Sequence, residues 1–183
     1  MKIEQTAENV QSKKGYYFKK MKGGGGKSPL KVNVKDASTG LLGGFITILI
    51  LSLITYKTGS LWLMAPFGAS CVLAFGAWNA PLSQPRNIIG GHFISTLTGL
   101  VIYNLFGSHP WTLALGVGLA IFFMAVTKTT HPPAGADPIV VIQGAYAWSY
   151  LAFPVFVGSV IIVAAAVIIN NLRNNRQYPT FWF

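Results

Sequence analysis

The sequence predicts an all-α membrane protein, a six-span helical bundle built as a 3+3 inverted repeat with two proline-broken helices. Three observations predict this class. Hydrophobic residues make up 52 % of the chain and charged residues only 10 %, whereas soluble domains carry about 25 % charged residues. Beyond residue 36 the chain is a series of apolar stretches, each near the length that crosses about 30 Å of hydrocarbon. An ungapped offset of 67 residues also aligns the two halves of the chain.

The N-terminal segment 1–36 is basic, and it predicts a cytoplasmic tail that is partly disordered or lies in the membrane interface. It holds nine of the fourteen Lys and Arg residues and three of the four acids. Basic residues beside long apolar runs favour a bilayer with anionic headgroups as the partner and argue against nucleic acid. Segment 23–27, GGGGK, lacks the spacing of a phosphate-binding loop and is interpreted as a flexible linker. No apolar signal region lies within this tail, so we expect the first span to target the chain to the membrane.

Six apolar stretches follow the tail, and each is predicted to form a helix. They cover 38–56, 60–79, 86–106, 110–127, 131–147 and 149–172. The second stretch contains Pro66, and the fifth contains the pair Pro132-Pro133. Because proline suits the first turn of a helix and disrupts its interior, these two stretches are predicted to be broken helices.

The 67-residue offset indicates an internal repeat. It superposes PFGAS at 66–70 on PAGAD at 133–137. Identical residues also coincide elsewhere, namely Gly40 with Gly107, Gly91 with Gly158, Asn104 with Asn171 and Leu105 with Leu172. Small apolar residues coincide often in membrane sequences, but the absence of gaps supports a true repeat. With three spans in each half, the second half would be inverted relative to the first, as in many transporters.

The distribution of charge orients the predicted spans. Basic residues collect on the cytoplasmic side of membrane proteins, and the basic tail places the N-terminus there. With six spans, Arg86, Lys128, Arg173 and Arg176 all lie inside, and only Lys57 lies outside. If the two proline-containing stretches were re-entrant loops, three of these five residues would lie outside. Six spans with both termini cytoplasmic is therefore the predicted topology.

The segment 131–138, HPPAGADP, is the strongest local signal for chemistry. A helix that begins near Pro132 would present free backbone N–H groups at Ala134, Gly135 and Ala136. Such groups, together with the helix dipole, bind anions. Lys128 and His131 add positive charge beside this helix start.

The repeat predicts a second helix start at Pro66, with N–H groups at Gly68, Ala69 and Ser70. Two helix starts that approach each other near the membrane midplane would form a substrate-binding site for a small anion. The alternative is that the prolines and glycines only kink helices and tighten their packing.

Four other polar residues belong to the candidate site. Asp137 is the only carboxylate beyond residue 36, and ionisable residues inside a membrane are functional candidates. It could equally cap the first helical turn and pair with Lys128 or His131. Arg86 and Asn87 begin the third span, where Arg86 could also simply anchor headgroups. His92 lies further along that span, as a pore-facing or a core histidine.

The sequence does not predict an enzyme. It has a single cysteine, Cys71, in an apolar stretch, and three histidines. These residues show no zinc-ligand spacing, and no pair of nucleophile and base is apparent. We therefore expect neither a metal nor another cofactor.

Three motifs in order resemble the HPP family of integral membrane proteins: APFGAS at 65–70, QPRNIIGGH at 84–92 and HPPAGADP at 131–138. The resemblance covers about residues 40–175. The predicted domains are therefore a basic tail at 1–36, an HPP transmembrane domain at 37–175 and an aromatic C-terminal tail at 176–183. Members of that family described as nitrite transporters act in chloroplast and cyanobacterial settings. The resemblance therefore implies nitrite as the substrate, and a bacterial inner membrane or a chloroplast envelope as the location.

Nitrate and formate are not separated from nitrite by this sequence, and a homo-oligomer is compatible with it. A sensor or scaffold without transport is the alternative function.

Overall fold

The structure is a computed structural model that describes residues 16–21, 24–28 and 33–183. The chain divides into two units, Met1–Val32 and Asn33–Phe183. In the first unit, residues 16–21 form a short helix in which Lys20 Nζ lies 4.5 Å from the centre of the Tyr16 ring. The prediction of a partly disordered tail falls mostly outside the described residues.

The second unit is built from helices, and the part of the chain that the structure describes contains no strand. This confirms the all-α class. The main helices of the unit are α1 (Val34–Thr58), α2 (Ala65–Cys71), α3 (Pro85–Phe106), α4 (Pro110–Val126), α5 (Asp137–Gly144) and α6 (Val157–Asn171). Short turns adjoin four of them: the π-helical Val72–Gly76 after α2, and Pro81–Ser83 (3₁₀), Pro132–Ala136 (3₁₀) and Leu151–Phe156 (π) before α3, α5 and α6.

Local sequence signals explain where these helices begin and end. Pro85 and Pro110 are the first residues of α3 and α4, where proline lacks only an N–H group that would be unpaired anyway. The side chain of Asn33 caps α1 by accepting the Asp36 N–H at 3.2 Å. Gly59 ends α1 in the left-handed region, with φ +65°. The predicted helix start at Pro132 is confirmed, although its first turn is a 3₁₀ turn.

Helix length alone identifies three spans among the described residues. Val34–Thr58, Pro85–Phe106 and Leu151–Asn171 are long and apolar enough to cross a membrane. The α4 helix has 17 residues, which is about 26 Å at 1.5 Å per residue. The apolar helix Ala65–Gly76 is shorter still. The two proline-containing stretches are therefore short, broken elements beside longer helices.

Hydrogen bonds from Arg86 and Arg176 join several helix ends at one end of the second unit. We call this end the arginine end. Arg176, just after α6, donates to the Phe75 carbonyl at 3.0 Å and to Asp36 Oδ1 at 2.7 Å. Arg86, at the start of α3, donates to the Thr127 carbonyl after α4 at 3.0 Å. The start of α1 and the ends of α2 and α6 thus meet, and the start of α3 lies against the end of α4.

Other contacts define the opposite end, here named the tyrosine end. The Trp62 N–H donates to Thr55 Oγ1 at 3.0 Å, and the Trp62 ring lies 5.4 Å from the Phe153 ring. The Tyr150 hydroxyl lies 4.0 Å from Met64 Sδ. The end of α1 and the start of α2 therefore lie beside the beginning of the final helix.

The segment after α6 folds back onto the helices. Tyr178 is 1 % exposed, and its hydroxyl donates to the Ser83 carbonyl at 2.8 Å. Burial raises the pKa of the Tyr178 phenol, so the hydroxyl stays protonated and able to donate. The Thr180 N–H donates to Gln84 Oε1 at 2.8 Å. Part of the predicted tail 176–183 is thus joined to the turn that precedes α3.

Candidate functional site

Four buried polar side chains meet between the broken helices and α3. Ser70 belongs to α2, His92 to α3, His131 precedes the Pro132–Ala136 turn, and Asp137 begins α5. All four are 0 % exposed. Ionisable groups in such surroundings are costly unless they are hydrogen-bonded. We call these four side chains the polar chain.

The polar chain is continuous. Asp137 Oδ2 lies 2.8 Å from His92 Nδ1, and His92 Nε2 lies 2.8 Å from Ser70 Oγ. Ser70 Oγ in turn lies 2.8 Å from His131 Nε2. His131 Nδ1 completes the series at 2.8 Å from the Leu82 carbonyl oxygen. Both nitrogens of each imidazole are therefore in hydrogen bonds.

Asp137 is held by side chains and not by helix N–H groups. Thr96 donates to the same carboxylate oxygen, Oδ2, at 3.3 Å. The other oxygen, Oδ1, is buried and has no hydrogen-bond partner among the described residues. The interpretation of Asp137 as a helix cap paired with Lys128 or His131 is therefore wrong, because its carboxylate bonds His92 and Thr96 instead.

Polar contacts from α3 hold the loop that carries His131. Asn87 Nδ2 donates to the Thr130 carbonyl at 2.9 Å, and Ser95 Oγ donates to the Ala134 carbonyl at 2.6 Å. Gly91 lets this loop approach closely, since a Cβ there would lie 2.7 Å from His131 Cβ. Asn87 is thus a positioning residue for the loop, and Arg86 holds the same loop at Thr127.

An aromatic ring packs on His92, the second member of the polar chain. The Phe67 ring packs edge-to-face on His92, with 5.1 Å between centroids, and the two imidazoles are also 5.1 Å apart. Phe67 itself is fully buried. The imidazoles therefore have apolar surroundings, in which hydrogen bonds are strong and unpaired charges are costly.

The free N–H groups expected at the two helix starts are absent. The Ala134 N–H donates to the His131 carbonyl at 3.0 Å. Gly135 and Ala136 continue the same 3₁₀ turn, in which each N–H bonds the carbonyl three residues earlier. Because α2 already begins at Ala65, its N–H groups from the fourth residue onward, at Gly68, Ala69 and Ser70, bond within the helix. The prediction of open N–H donors at these positions is wrong for this reason.

The other predicted residues do not join the polar chain. Gly68, Ala69 and Ala136 are exposed, and Gly135 is partly exposed. Lys128 is exposed in a left-handed turn with φ +59°. No described residue is hydrogen-bonded to its ammonium group. Of the residues predicted as ligands, only Ser70, His92, His131 and Asp137 come together.

Two members of the site were missed in the sequence. Thr96 lies four residues after His92, which places both on one face of α3, and this spacing could have revealed it. The Leu82 carbonyl is a backbone group in the 3₁₀ turn Pro81–Ser83, and no sequence signal points to it. Among the described residues, no group of three or more His, Cys, Asp or Glu side chains could hold a metal ion.

An all-α unit of apolar helices with membrane-spanning length and a buried polar chain defines an integral membrane protein. The family described as the HPP transmembrane region matches residues 29–179, and the chain belongs to that family. The predicted resemblance is therefore confirmed.

Two relatives from Dictyostelium discoideum are named only as transmembrane proteins. One is 39 % identical over 91 % of this chain and 57 % of its own length. The other is 34 % identical over 91 % of this chain and 63 % of its own length. The chain thus spans about three fifths of the length of these relatives. No solved structure matches it.

Proposed function

We propose that this protein is a permease for a small inorganic anion, with nitrite as the first candidate, and that the polar chain lies on the transport path. The observation that carries the proposal is the continuous polar chain, fully buried between two broken helices of an apolar bundle. Transporters of several folds bind substrates where discontinuous helices meet near the membrane midplane. The resemblance to family members described as nitrite transporters supports the choice of anion.

The proposal includes six crossings, with the described ends of the second unit on one side. The contacts of the arginine end support this topology. Arg173 and Arg176 both bond Asp36, which brings the start of α1 to the end of α6. Arg86 bonds the carbonyl of Thr127, next to Lys128. All four basic residues then lie on one face, which the positive-inside rule assigns to the cytoplasm.

Labelling of single cysteines tests this topology. In a Cys71→Ala background, Arg86→Cys should react with an impermeant thiol reagent only from the cytoplasmic side, and Lys57→Cys only from the outside. The reason is that α1 would carry the chain to the outside at Lys57, and the α2 segment would then cross once and return the chain to the inside before Arg86. Reaction of both positions from the outside would reject six crossings and the inverted repeat together.

The inverted repeat is part of the same proposal. Ser70 and Asp137 are 67 residues apart, and both belong to the polar chain. Gly91 and Gly158 have the same separation, and at both a Cβ would lie within 3 Å of a neighbouring side chain. Equivalent positions thus have similar packing, which supports a pseudo-two-fold axis in the membrane plane. An experimental structure in which 60–79 and 131–147 are unrelated by such an axis would reject it.

Two basic groups have different roles in the proposed path. The exposed Lys128 lies beside the arginine end, where positive charge raises the local concentration of anions. His131 is buried within the path, and when it is protonated it can donate its Nε2–H to an anion in place of Ser70. We therefore expect a strong effect from His131 and a weaker, salt-dependent effect from Lys128.

Uptake into liposomes tests both roles. His131→Ala should lower nitrite uptake about ten- to a hundredfold, because a hydrogen bond to a charged group contributes about 1.5–3 kcal/mol. Lys128→Met should lower uptake less, and the loss should shrink at high salt. His109→Asn and Lys57→Met are the matched controls, since both residues lie away from the polar chain.

The background in this assay needs its own control. Nitrous acid crosses bilayers unaided, so flux into protein-free liposomes is subtracted at every pH. Wild-type uptake by folded His131→Ala protein would remove the polar chain from the path. Absence of uptake for every small anion would instead favour a sensor or scaffold without transport.

A further inference from the structure

We infer that the polar chain is a proton relay, and that the anion crosses together with a proton taken up by this relay. The inference rests on the proposed anion transport and specifies how it is driven. It is based on the number of protons that the four hydrogen bonds of the polar chain require.

The Leu82 carbonyl determines the position of one proton in the polar chain. A carbonyl oxygen can only accept, so His131 Nδ1 carries a proton. Each of the other three contacts, at 2.8 Å, also needs one proton. The four contacts thus require four protons. Two neutral imidazoles, one hydroxyl and an ionised carboxylate supply three, so the fully bonded chain holds one additional proton.

The additional proton can reside at either end of the polar chain, on Asp137 or on His131. In one arrangement Asp137 is protonated and donates to His92 Nδ1, His92 Nε2–H donates to Ser70, and Ser70 donates to His131 Nε2. In the other, Asp137 is a carboxylate and His131 is an imidazolium. Both arrangements have zero net charge and make all four hydrogen bonds.

Three coupled proton transfers interconvert these arrangements. The Asp137 O–H bond breaks as an N–H bond forms at His92 Nδ1, and the His92 Nε2–H bond breaks as an O–H bond forms at Ser70. The original Ser70 O–H bond breaks as an N–H bond forms at His131 Nε2. Each broken bond leaves its electron pair on the atom that loses the proton. One positive charge thereby moves from the Asp137 end to the His131 end without another reactant.

Ser70 also allows a second additional proton. Its hydroxyl lies 3.2 Å from the Pro66 carbonyl, an alternative acceptor in its own helix. When Ser70 donates there, both imidazoles can donate to Ser70 Oγ, and the chain then carries a net charge of +1. Isolated buried charge is costly by several kcal/mol, so this state requires a partner of charge −1. An anion and a proton therefore enter together.

Few other titratable groups lie near this chain in the described structure. Cys71 follows Ser70, and Tyr150 lies close enough to Asp137 to sense its charge, with Tyr146 stacked on it at 4.0 Å. None of these three side chains is hydrogen-bonded to a member of the polar chain. Arg86 is the charged residue of α3, and it bonds the Thr127 carbonyl. The two histidines, Ser70 and Asp137 are thus the groups among which the additional proton can move.

Proton-coupled flux in liposomes tests the inference. The full chain is reconstituted with an internal pH dye, and nitrite uptake and internal acidification are recorded together while potassium and valinomycin set the membrane potential. After subtraction of protein-free liposomes, we expect acidification in proportion to nitrite, uptake that rises with an inward proton gradient, and no response to the potential. Uptake driven by the potential without acidification would overturn the relay and leave the proposed transport intact.

Ser70→Ala removes the central link and should reduce the proton-driven part of uptake at least tenfold. Ser159→Ala is the matched control, because Ser159 is equally buried and its hydroxyl bonds only the Phe156 carbonyl of the same helical segment. Size-exclusion chromatography checks that both variants fold. Equal proton-driven uptake by the two variants would contradict the relay.

A measurement without transport separates the two proposals. Nuclear magnetic resonance of protein with ¹⁵N-labelled histidine reports the protonation of each imidazole nitrogen, and infrared spectroscopy reports a protonated Asp137 that is missing in Asp137→Asn. At pH 7 we expect either one imidazolium or a protonated Asp137. Two neutral imidazoles with an ionised Asp137 would overturn the relay whatever the flux. Absence of all anion uptake with the four-proton chain present would reject the proposed transport and the coupling that rests on it, and would leave the proton relay.

Discussion

Replacing Arg176 by alanine is expected to lower the free energy of unfolding by about 2–6 kcal/mol, because each of two buried acceptors left without its donor costs about 1–3 kcal/mol. Arg176 is 6 % exposed and donates to the Phe75 carbonyl, to Asn170 Oδ1 at 2.7 Å and to Asp36 Oδ1. Truncation would leave the first two acceptors buried without this donor. Equilibrium unfolding in mixed detergent micelles, followed by circular dichroism, measures the change.

Arg173→Ala is the matched control for this prediction. Its guanidinium also bonds Asp36 at 2.7 Å, but the side chain is 20 % exposed. Water can replace much of the hydrogen bonding that Arg173 provides, so we expect the free energy of unfolding to fall by about 1 kcal/mol or less. Equal destabilisation by the two substitutions would show that the burial of Arg176 does not determine its contribution to stability.

Gly91→Ala is the second change with a large expected effect, about 3 kcal/mol of stability, at the upper end for overpacking. A Cβ at this position would lie 2.9 Å from the Thr129 carbonyl oxygen as well as 2.7 Å from His131 Cβ. Neither neighbour is the end of a flexible side chain, so the loop that carries His131 must move. If the polar chain lies on the path, nitrite uptake should fall with stability.

Gly118→Ala provides the control for this substitution. Gly118 lies inside α4, and nothing lies within 4 Å of the position where its Cβ would stand. Alanine there should stabilise the helix by about 0.5–1 kcal/mol, because glycine loses more backbone entropy on folding. Detergent unfolding and nitrite uptake are measured on both variants. A neutral Gly91→Ala protein with normal uptake would contradict the close packing of α3 against the His131 loop.

Several features could be predicted from the sequence because their causes are local or additive. Membrane insertion depends on the summed hydrophobicity of consecutive residues, so composition indicates the class. Helix starts depend on nearby residues, and Pro85, Pro110 and Pro132 each begin a helical segment. The predicted boundaries of the shorter elements were less accurate, since 60–79 contains a helical segment of only Ala65–Gly76.

The chemical site depended on contacts between distant parts of the chain. Ser70 bonds His92 and His131, which lie 22 and 61 residues away in sequence. Sequence proximity instead grouped Lys128 with His131, but the left-handed turn at Lys128 leaves its side chain exposed while His131 is buried. The expected N–H donors were likewise lost to backbone bonds within their own turns.

The sequence by itself therefore determined the membrane class, the helical character, the broken second and fifth stretches and the family. Only the tertiary structure decided which polar residues meet, that Asp137 pairs with His92, and that Tyr178 packs against the turn before α3. The physical reason is that hydrophobicity and helix initiation are properties of short segments. A hydrogen bond between buried side chains instead requires that α2, α3 and the His131 loop be packed together to within about 3 Å.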